Sequence, residues 1–264
     1  MPSSNRIPAS AFVICRDAEA TIERCIRSVA AFDEIVVVDS GSTDETCEII
    51  ARLEAEGLPV RLLRRDWPGY AAQKQYALDQ CRNDWCLSLD ADEEIDEALG
   101  EAIVGLLKGT PECSGYNLLR REWVAGYGHA HPWVAHTRIL RLFDRRKGVF
   151  DLSQTIHESV ILKETPGLLK SGYILHNAWM TPERHAEKQI VYSSLKVRQR
   201  LARGKKAMPI KMATSPLEYF LRSYLLRRYF LCGWGGLASS LLDGSYAFQT
   251  EWKHWLAPRT DPEG

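Results

Sequence analysis

An α/β fold with a doubly wound, mostly parallel sheet and a helical C-terminal extension is what the order of signals along this sequence predicts. Three observations carry that expectation. Strand and helix signals alternate as far as Thr110, acidic clusters follow directly on two of the strand signals, and beyond residue 180 the chain turns basic and helical. Alternating strands and helices need crossover connections, which are right-handed. Ligands then meet the carboxyl ends of the strands.

The elements follow in order. Ala11 to Cys15 is a short apolar run and reads as the first strand. Thr21 to Val29 carries Ile22, Ile26 and Val29 at helical spacing. Ile35-Val36-Val37-Val38 is continuous and β-branched, the pattern of a strand buried on both faces. Ser42-Thr43-Asp44-Glu45 fits a capping box that opens a helix through Glu56, and Gly57 stops it. Val60 to Leu63 is a third strand, Tyr70 to Cys81 a helix, and Trp85 to Leu89 a fourth strand ending at Asp90. Asp96 to Leu107 is an amphipathic helix. Gly115 to Arg121, Thr137 to Phe143 and Ser171 to Leu175 read as later strands, with an aromatic loop rich in glycine and histidine at Trp123 to Trp133. From Pro182 the chain is helical. This divides the molecule into a core of residues 1–180 and an extension of residues 181–264.

Composition bounds the possible functions. The 264 residues are 45% hydrophobic and 26% charged, as in ordinary globular chains. Lysine plus arginine balances aspartate plus glutamate at 34 each, which argues against nucleic acid as the main partner. Seven cysteines without a C-x-x-C read as reduced thiols. The start lacks the pattern of a secretory leader, and no apolar run reaches the length of a spanning helix. The expected location is therefore the cytoplasm.

Two clusters can carry chemistry. Asp90-Ala91-Asp92 places carboxylates at i and i+2 just past a strand, where they can share a hard divalent ion such as Mg²⁺ or Mn²⁺. Acids at the start of a helix account for the same pattern. In Asp39-Ser40-Gly41-Ser42-Thr43-Asp44, glycine permits a tight turn and Asp39 can accept hydrogen bonds from a base or ribose. A capped strand-to-helix loop accounts for it equally. No G-x-G-x-x-G occurs, which weighs against a nicotinamide site.

The series Phe12-Val13-Ile14-Cys15-Arg16-Asp17, Val38-Asp39-Ser40-Gly41-Ser42-Thr43-Asp44, Gln73-Lys74-Gln75-Tyr76-Ala77-Leu78 and Leu87-Ser88-Leu89-Asp90-Ala91-Asp92-Glu93 resembles the family 2 glycosyltransferases. Within them it is similar to the bacterial lipopolysaccharide-core β-1,4-glucosyltransferase-like branch. The resemblance implies a GT-A fold and a nucleotide-diphosphate sugar donor, a UDP-sugar first among them. It implies that Asp39 reads the base, that Asp90 lies on the ribose or metal side, that Asp92 ligates Mg²⁺ or Mn²⁺, and that Lys74 faces the donor. Arg16 and Ser42 complete the expected donor contacts. The departure is Arg16-Asp17, where relatives carry lysine or threonine followed by asparagine.

Ile156-His157-Glu158 resembles the His-Glu segment of the same branch, which makes Glu158 the candidate base for an inverting transfer. A structural acid paired with Arg138, Arg141 or Arg145 is the competing reading. His176, after a strand, is a candidate third metal ligand, with a core histidine as the competing reading. His129-x-His131 with His136 lacks the cysteines or tight third ligand of a zinc site. Trp123, Tyr127 and Trp133 suit stacking on sugar rings. The arginines of Arg138 to Phe143 alternate along a strand and can meet phosphate.

In the extension, Tyr219 to Leu242 is rich in leucine and aromatics, with Arg222, Arg227 and Arg228 inside it, and Gly233-Trp234-Gly235-Gly236 reads as a break. Long arginine stems there suit an interfacial position on a membrane surface. The expected activity is thus transfer of a sugar from a nucleotide-diphosphate donor to a hydroxyl of a glycan or glycolipid acceptor in cell-envelope synthesis. Two alternatives belong to other classes. A sugar nucleotidyltransferase would carry a glycine-rich basic loop after the first strand, and a non-catalytic GT-A scaffold would lose no function with Glu158→Gln.

Overall fold

The computed structural model describes residues 6–152, 159–177 and 182–257, the side chains of 182–184 excepted. Two compact units divide the chain: Met1–Arg121 with Thr137–Asn177, and Glu122–His136 with Ala178–Gly264.

The first unit is a layered α/β structure. Strands β1 (Ile7–Cys15), β2 (Phe32–Asp39), β3 (Val60–Arg64) and β4 (Trp85–Asp90) alternate with helices α1 (Ile22–Ser28), α2 (Thr46–Ala55) and α3 (Tyr70–Asp79). They are followed by β5 (Glu93–Ile95), α4 (Glu97–Lys108), β6 (Gly115–Val124) and β8 (Thr137–Asp144), while β7 (Gly128–His129) lies in the segment of the second unit between these last two. Short strands β9 (Val149–Phe150), β10 (Val160–Ile161), β11 (Gly167–Leu168) and β12 (Ile174–His176) complete the set. The sheet order is β3-β2-β1-β4-β8-β6-β12-β5. The pairs β3-β2, β2-β1 and β1-β4 are parallel; β8 is antiparallel to β4 and to β6.

Period-two alternation explains why the strand signals are continuously apolar. Along β1 and β2, Ala11, Val13, Ile35 and Val37 face a core shared with Ile22, Ile26, Ile50, Leu53, Leu99 and Ile103. Phe12, Ile14, Val36 and Val38 face a second core with Ala71, Ala77, Leu78, Phe143 and Phe150. Helices α1, α2 and α4 therefore cover one face and α3 the other. The strand order reverses at β1, and that switch point opens a crevice at the carboxyl ends of β1 and β4.

The capping box expected at Ser42 does not form. Helix α2 begins only at Thr46 and has no side-chain cap. Gly41, at φ +86°, turns the loop so that the Ser42 hydroxyl donates back to Asp39 Oδ1 instead. Asp96, by contrast, caps α4 by accepting from the Leu99 N–H at 2.9 Å.

The second unit is mainly helical: α5 (Pro182–Ala202), α6 (Lys211–Leu221), a π-helical turn at Arg222–Leu226, a 3₁₀ turn at Tyr229–Cys232, and α7 (Gly233–Leu256). The expected break at Gly233-Trp234-Gly235-Gly236 is instead the start of α7. A Cβ at Gly236 would overlap the Tyr229 carbonyl, and one at Gly235 the Ala125 carbonyl. The glycines permit that close approach. Val124, Ala130, Val134, Tyr229 and Cys232 form this unit's apolar cluster. The 122–136 segment thus belongs with the C-terminal helices. His131 accepts from the Trp133 N–H through Nδ1, and His136 Nε2 lies 3.0 Å from the Pro132 carbonyl. All seven cysteines are free thiols.

Candidate active site

The loops after β1 and β2 are laced together. Asp17 sits at φ +49°, a left-handed conformation that aspartate tolerates better than most residues. Its Oδ1 accepts from the Thr43 N–H at 2.8 Å, while its own N–H donates to Ser42 Oγ at 2.9 Å. Ala18 N–H donates to Thr46 Oγ1, and Glu19 N–H to Asp44. The Arg16-Asp17 departure therefore has a structural role: Asp17 braces the loop that carries Ser42. Asp39, 2% exposed, accepts from the Gly41 and Ser42 N–H groups and from the Ser42 hydroxyl. Gln73 ties α3 to the same loop by donating to Ser40 Oγ at 3.0 Å.

A cleft of about 440 Å³ opens at the switch point, lined by Arg16, Asp17, Thr21, Trp67, Tyr70 and Asp92 among others. Trp67 and Tyr70 meet edge to face, with ring centroids 4.7 Å apart, and both are exposed. They flank Pro68-Gly69 immediately before α3, and the paired aromatics beside that Pro-Gly turn were a signal in the sequence that motif reasoning passed over. Cys15 also lines the cleft. Burial and the neighbouring Asp39 carboxylate push its thiol well up, so it is neutral and not a nucleophile.

The two acids after β4 have different surroundings. Lys74, 1% exposed, places Nζ 2.7 Å from Asp90 Oδ1, and Arg141 donates to Asp90 Oδ2. Burial opposes ionisation of Asp90, but Arg141 and Lys74 outweigh it and hold the carboxyl well below the usual range. Glu93 extends the network. It is fully buried, pairs with Arg141 at 3.0 Å and Arg120 at 3.3 Å, and accepts from the Asp90 N–H at 3.0 Å. Burial, with Asp90 adding to it, pushes the Glu93 carboxyl up against the pull of the arginines. The sequence reading had Lys74 facing the donor. Here its ammonium pairs with Asp90, because α3 packs on the face of β4 from which Ser88 and Asp90 project.

Asp92 lies in the cleft, and His176 Nε2 stands 3.3 Å from its Oδ2. The pairing of β12 with β5, His176 opposite Glu93, and the Asn177 N–H bond to the Asp92 carbonyl at 2.8 Å bring these two expected ligands together. Among the described residues no group of three His, Cys, Asp or Glu side chains is arranged to hold a metal. An oxygen and an imidazole nitrogen are nonetheless donors of a kind that would suit a divalent ion. On the Asp90 side a second cleft, about 360 Å³, is lined by Ser88, Asp90, Arg120, Arg141, Phe150 and Ser159, among others. Glu158, the candidate base, and His157 lie outside the described residues.

A mixed, mostly parallel sheet with an acidic turn at its switch point and a cleft on each side of that turn defines an α/β protein with a ligand crevice at its strand ends. Residues 10–158 match the model of Glycosyl transferase family 2, and the chain belongs to that family. It is 39% identical over 245 residues to the lipopolysaccharide core biosynthesis glycosyltransferase LpsC of Rhizobium meliloti, spanning 93% of this chain and 91% of that one. It is 30% identical over 243 residues to an uncharacterized glycosyltransferase of Rickettsia bellii, spanning 88% and 81%. The chain is a glycosyltransferase of the lipopolysaccharide-core branch. Among solved structures, the mannosyltransferase PcManGT from Pyrobaculum calidifontis, in complex with GDP-Man and Mn²⁺, matches with TM-score 0.51 and 16% identity, covering 95% of this chain and 88% of that one. TarS of S. aureus matches with TM-score 0.51 and 14% identity, covering 93% and 55%. These two likenesses show the GT-A fold.

Proposed function

We propose that the protein transfers a sugar, with inversion, from a nucleoside diphosphate donor to a hydroxyl of a glycan or glycolipid acceptor in lipopolysaccharide-core synthesis. The observation that carries this reading is the switch-point cleft, lined by the Trp67–Tyr70 aromatic pair and by Asp92, whose carboxylate stands 3.3 Å from His176 Nε2. The nucleoside, uridine first, lies against Trp67 and Tyr70, with Arg16 beside the phosphates. Asp39, braced by the Ser42 hydroxyl, orients the nucleoside. Asp92 and His176 would hold Mg²⁺ or Mn²⁺, which would supply charge neutralisation for the diphosphate leaving group. Asp90, clamped by Lys74 and Arg141, fixes the turn that presents Asp92. The acceptor enters the second cleft. Glu158, next in the chain to Ser159 of that cleft, takes the proton from the attacking hydroxyl. Catalysis is assigned to the 1–180 domain.

The test is a screen of nucleotide-sugars, with Mn²⁺ or Mg²⁺, for hydrolysis and thermal stabilisation. A UDP-sugar should raise the melting temperature only with metal present, and Asp92→Asn and His176→Ala should weaken that response. Glu158→Gln should keep the stabilisation and lose turnover. If no nucleoside diphosphate stabilises the protein with metal present, the donor site is wrong.

The 181–264 extension supports placement on the cytoplasmic face of a membrane. No described helix is long and apolar enough to cross one. Instead, α7 exposes Trp234, Ala238, Leu241, Ser245, Phe248 and Trp252, a stripe without a single charge, and Trp234 is 85% exposed. Residues 182–257 hold 13 Lys and Arg against 5 Asp and Glu, although the whole chain is balanced. That excess opposes pairing of two copies and favours anionic headgroups. Flotation with phosphatidylcholine vesicles, with and without phosphatidylglycerol, tests it: binding should need the anionic lipid and be lost in Trp234→Ser/Phe248→Ser. Absence of binding, or a solution dimer dispersed by the same substitutions, refutes it.

A further inference from the structure

The helical unit holds a groove that the donor reading does not use. At the end of α6 the backbone widens into the π-helical turn Arg222–Leu226, and Arg228 follows in a left-handed conformation at φ +64°. Such turns are uncommon and collect at functional positions. Here the turn directs Ser223 inward. Its side chain is 2% exposed, and its hydroxyl has no hydrogen-bond partner among the described residues. A buried hydroxyl left in that state is unfavourable unless a ligand satisfies it.

The space beside it is a cavity of about 310 Å³, lined by Tyr219, Arg222, Ser223, Arg227, Asp243 and Tyr246. Neither Arg222 nor Arg227 has an ion pair among the described residues; Arg227 rests over the Tyr229 ring at 5.5 Å. A second cavity of about 280 Å³, lined by His185, Lys188, Gln189 and Tyr192, adjoins the first at Asp243 and Tyr246. Lys196 lies over both Tyr219 and Tyr246, at 5.3 and 5.2 Å, and donates to the Tyr219 hydroxyl at 3.0 Å. Lys196 therefore ties Tyr219 and Tyr246 together.

We propose that this groove binds a sugar carrying an anionic group, a phosphate or carboxylate. Arg222, Arg227 and the buried Ser223 all line the first cavity, and planar guanidinium donors suit an anion there. The tyrosine rings offer faces to the C–H side of a sugar ring, and Asp243 accepts from its hydroxyls. The inference stands apart from the donor cleft, since every residue in it belongs to the helical unit.

Isothermal titration of the full chain with glucose 6-phosphate, glucose and inorganic phosphate tests it, without and with saturating UDP and Mn²⁺. Glucose 6-phosphate should bind at least tenfold more tightly than either glucose or inorganic phosphate. UDP should leave that binding in place, and so should Asp92→Asn. Arg222→Gln/Arg227→Gln should weaken it at least tenfold, and Ser223→Ala several-fold. Ser223→Ala should also raise the melting temperature of the ligand-free protein, because it removes the unsatisfied hydroxyl. Competition by UDP, equal binding of glucose, or binding indifferent to the arginine substitutions each overturns the proposal, as does no binding at all. Failure of the UDP response alone bears on the donor cleft and not on this groove.

Discussion

Replacing Lys74 with methionine separates a structural from a donor-contacting role for this residue. The ammonium is buried and 2.7 Å from Asp90 Oδ1, while Arg141 holds the other oxygen. Removing one member of a buried ion pair costs about 3–5 kcal/mol, because the remaining charge loses its partner but not its burial. Asp90 is 32% exposed and Arg141 stays in place, so the lower end applies, about 3 kcal/mol. Each kcal/mol moves the midpoint of a chain of this size by about 2–4 °C, so the melting temperature should fall by about 6–12 °C. Methionine fills nearly the same volume, which keeps a cavity from contributing. Adding Asp90→Asn removes the orphaned charge and should recover part of the loss, a non-additivity that thermal melts of the two singles and the double detect. An unchanged melting temperature in Lys74→Met, together with weakened UDP binding, would refute this reasoning and return Lys74 to the donor.

Three further outcomes follow from other parts of the molecule. Glu34 is buried and accepts from Ser10 Oγ and the Arg82 N–H, both at 2.8 Å, with Arg61 at 3.2 Å. Burial opposes its charge, but these donors prevail and hold its carboxyl below the ordinary 4.5. A depressed carboxylate contributes stability above its unfolded value and loses it as pH falls through the folded one. Glu34→Gln should thus cost about 1–3 kcal/mol at pH 7 by urea titration, and the gap to wild type should narrow below about pH 4.5; a gap constant with pH would contradict this. Gly105, on the exposed side of α4 with open space around its Cβ position, should gain about 0.5–1 kcal/mol on Gly105→Ala. Gly236→Ala should instead lose about 1–3 kcal/mol or more through its clash with the Tyr229 carbonyl, and thermal melts showing the same sign for both would be inconsistent with the packing described. Trp67→Ala and Tyr70→Ala should each weaken UDP affinity by about 1 kcal/mol, roughly fivefold, with little change in melting temperature, since both rings are exposed; calorimetry with Mn²⁺ present measures it.

Local pattern alone determined a large part of this protein. Continuous β-branched runs such as Ile35 to Val38 place side chains alternately on two faces, so the sequence already required a sheet covered on both sides. The order of strands and helices placed Asp39 and the Asp90-Ala91-Asp92 turn at strand ends, and the same residues carried the family resemblance. Only the tertiary structure decided which charged groups meet. Lys74 and Arg141 reach Asp90 from a helix on one face and from an antiparallel neighbour strand. His176 reaches Asp92 across 84 positions through the pairing of two three-residue strands, of which only the later one had a signal in the sequence, at Ser171 to Leu175. Ser42 carries the letters of a helix cap, yet its hydroxyl goes to Asp39 because Gly41 turns the loop that way. The aromatic loop at 122–136 joins the C-terminal helices, a contact that no local period encodes. Hydrophobic period is a property of a few neighbouring residues and survives in any context. The partner of a charge depends on topology and register, which emerge only when distant segments close on one another.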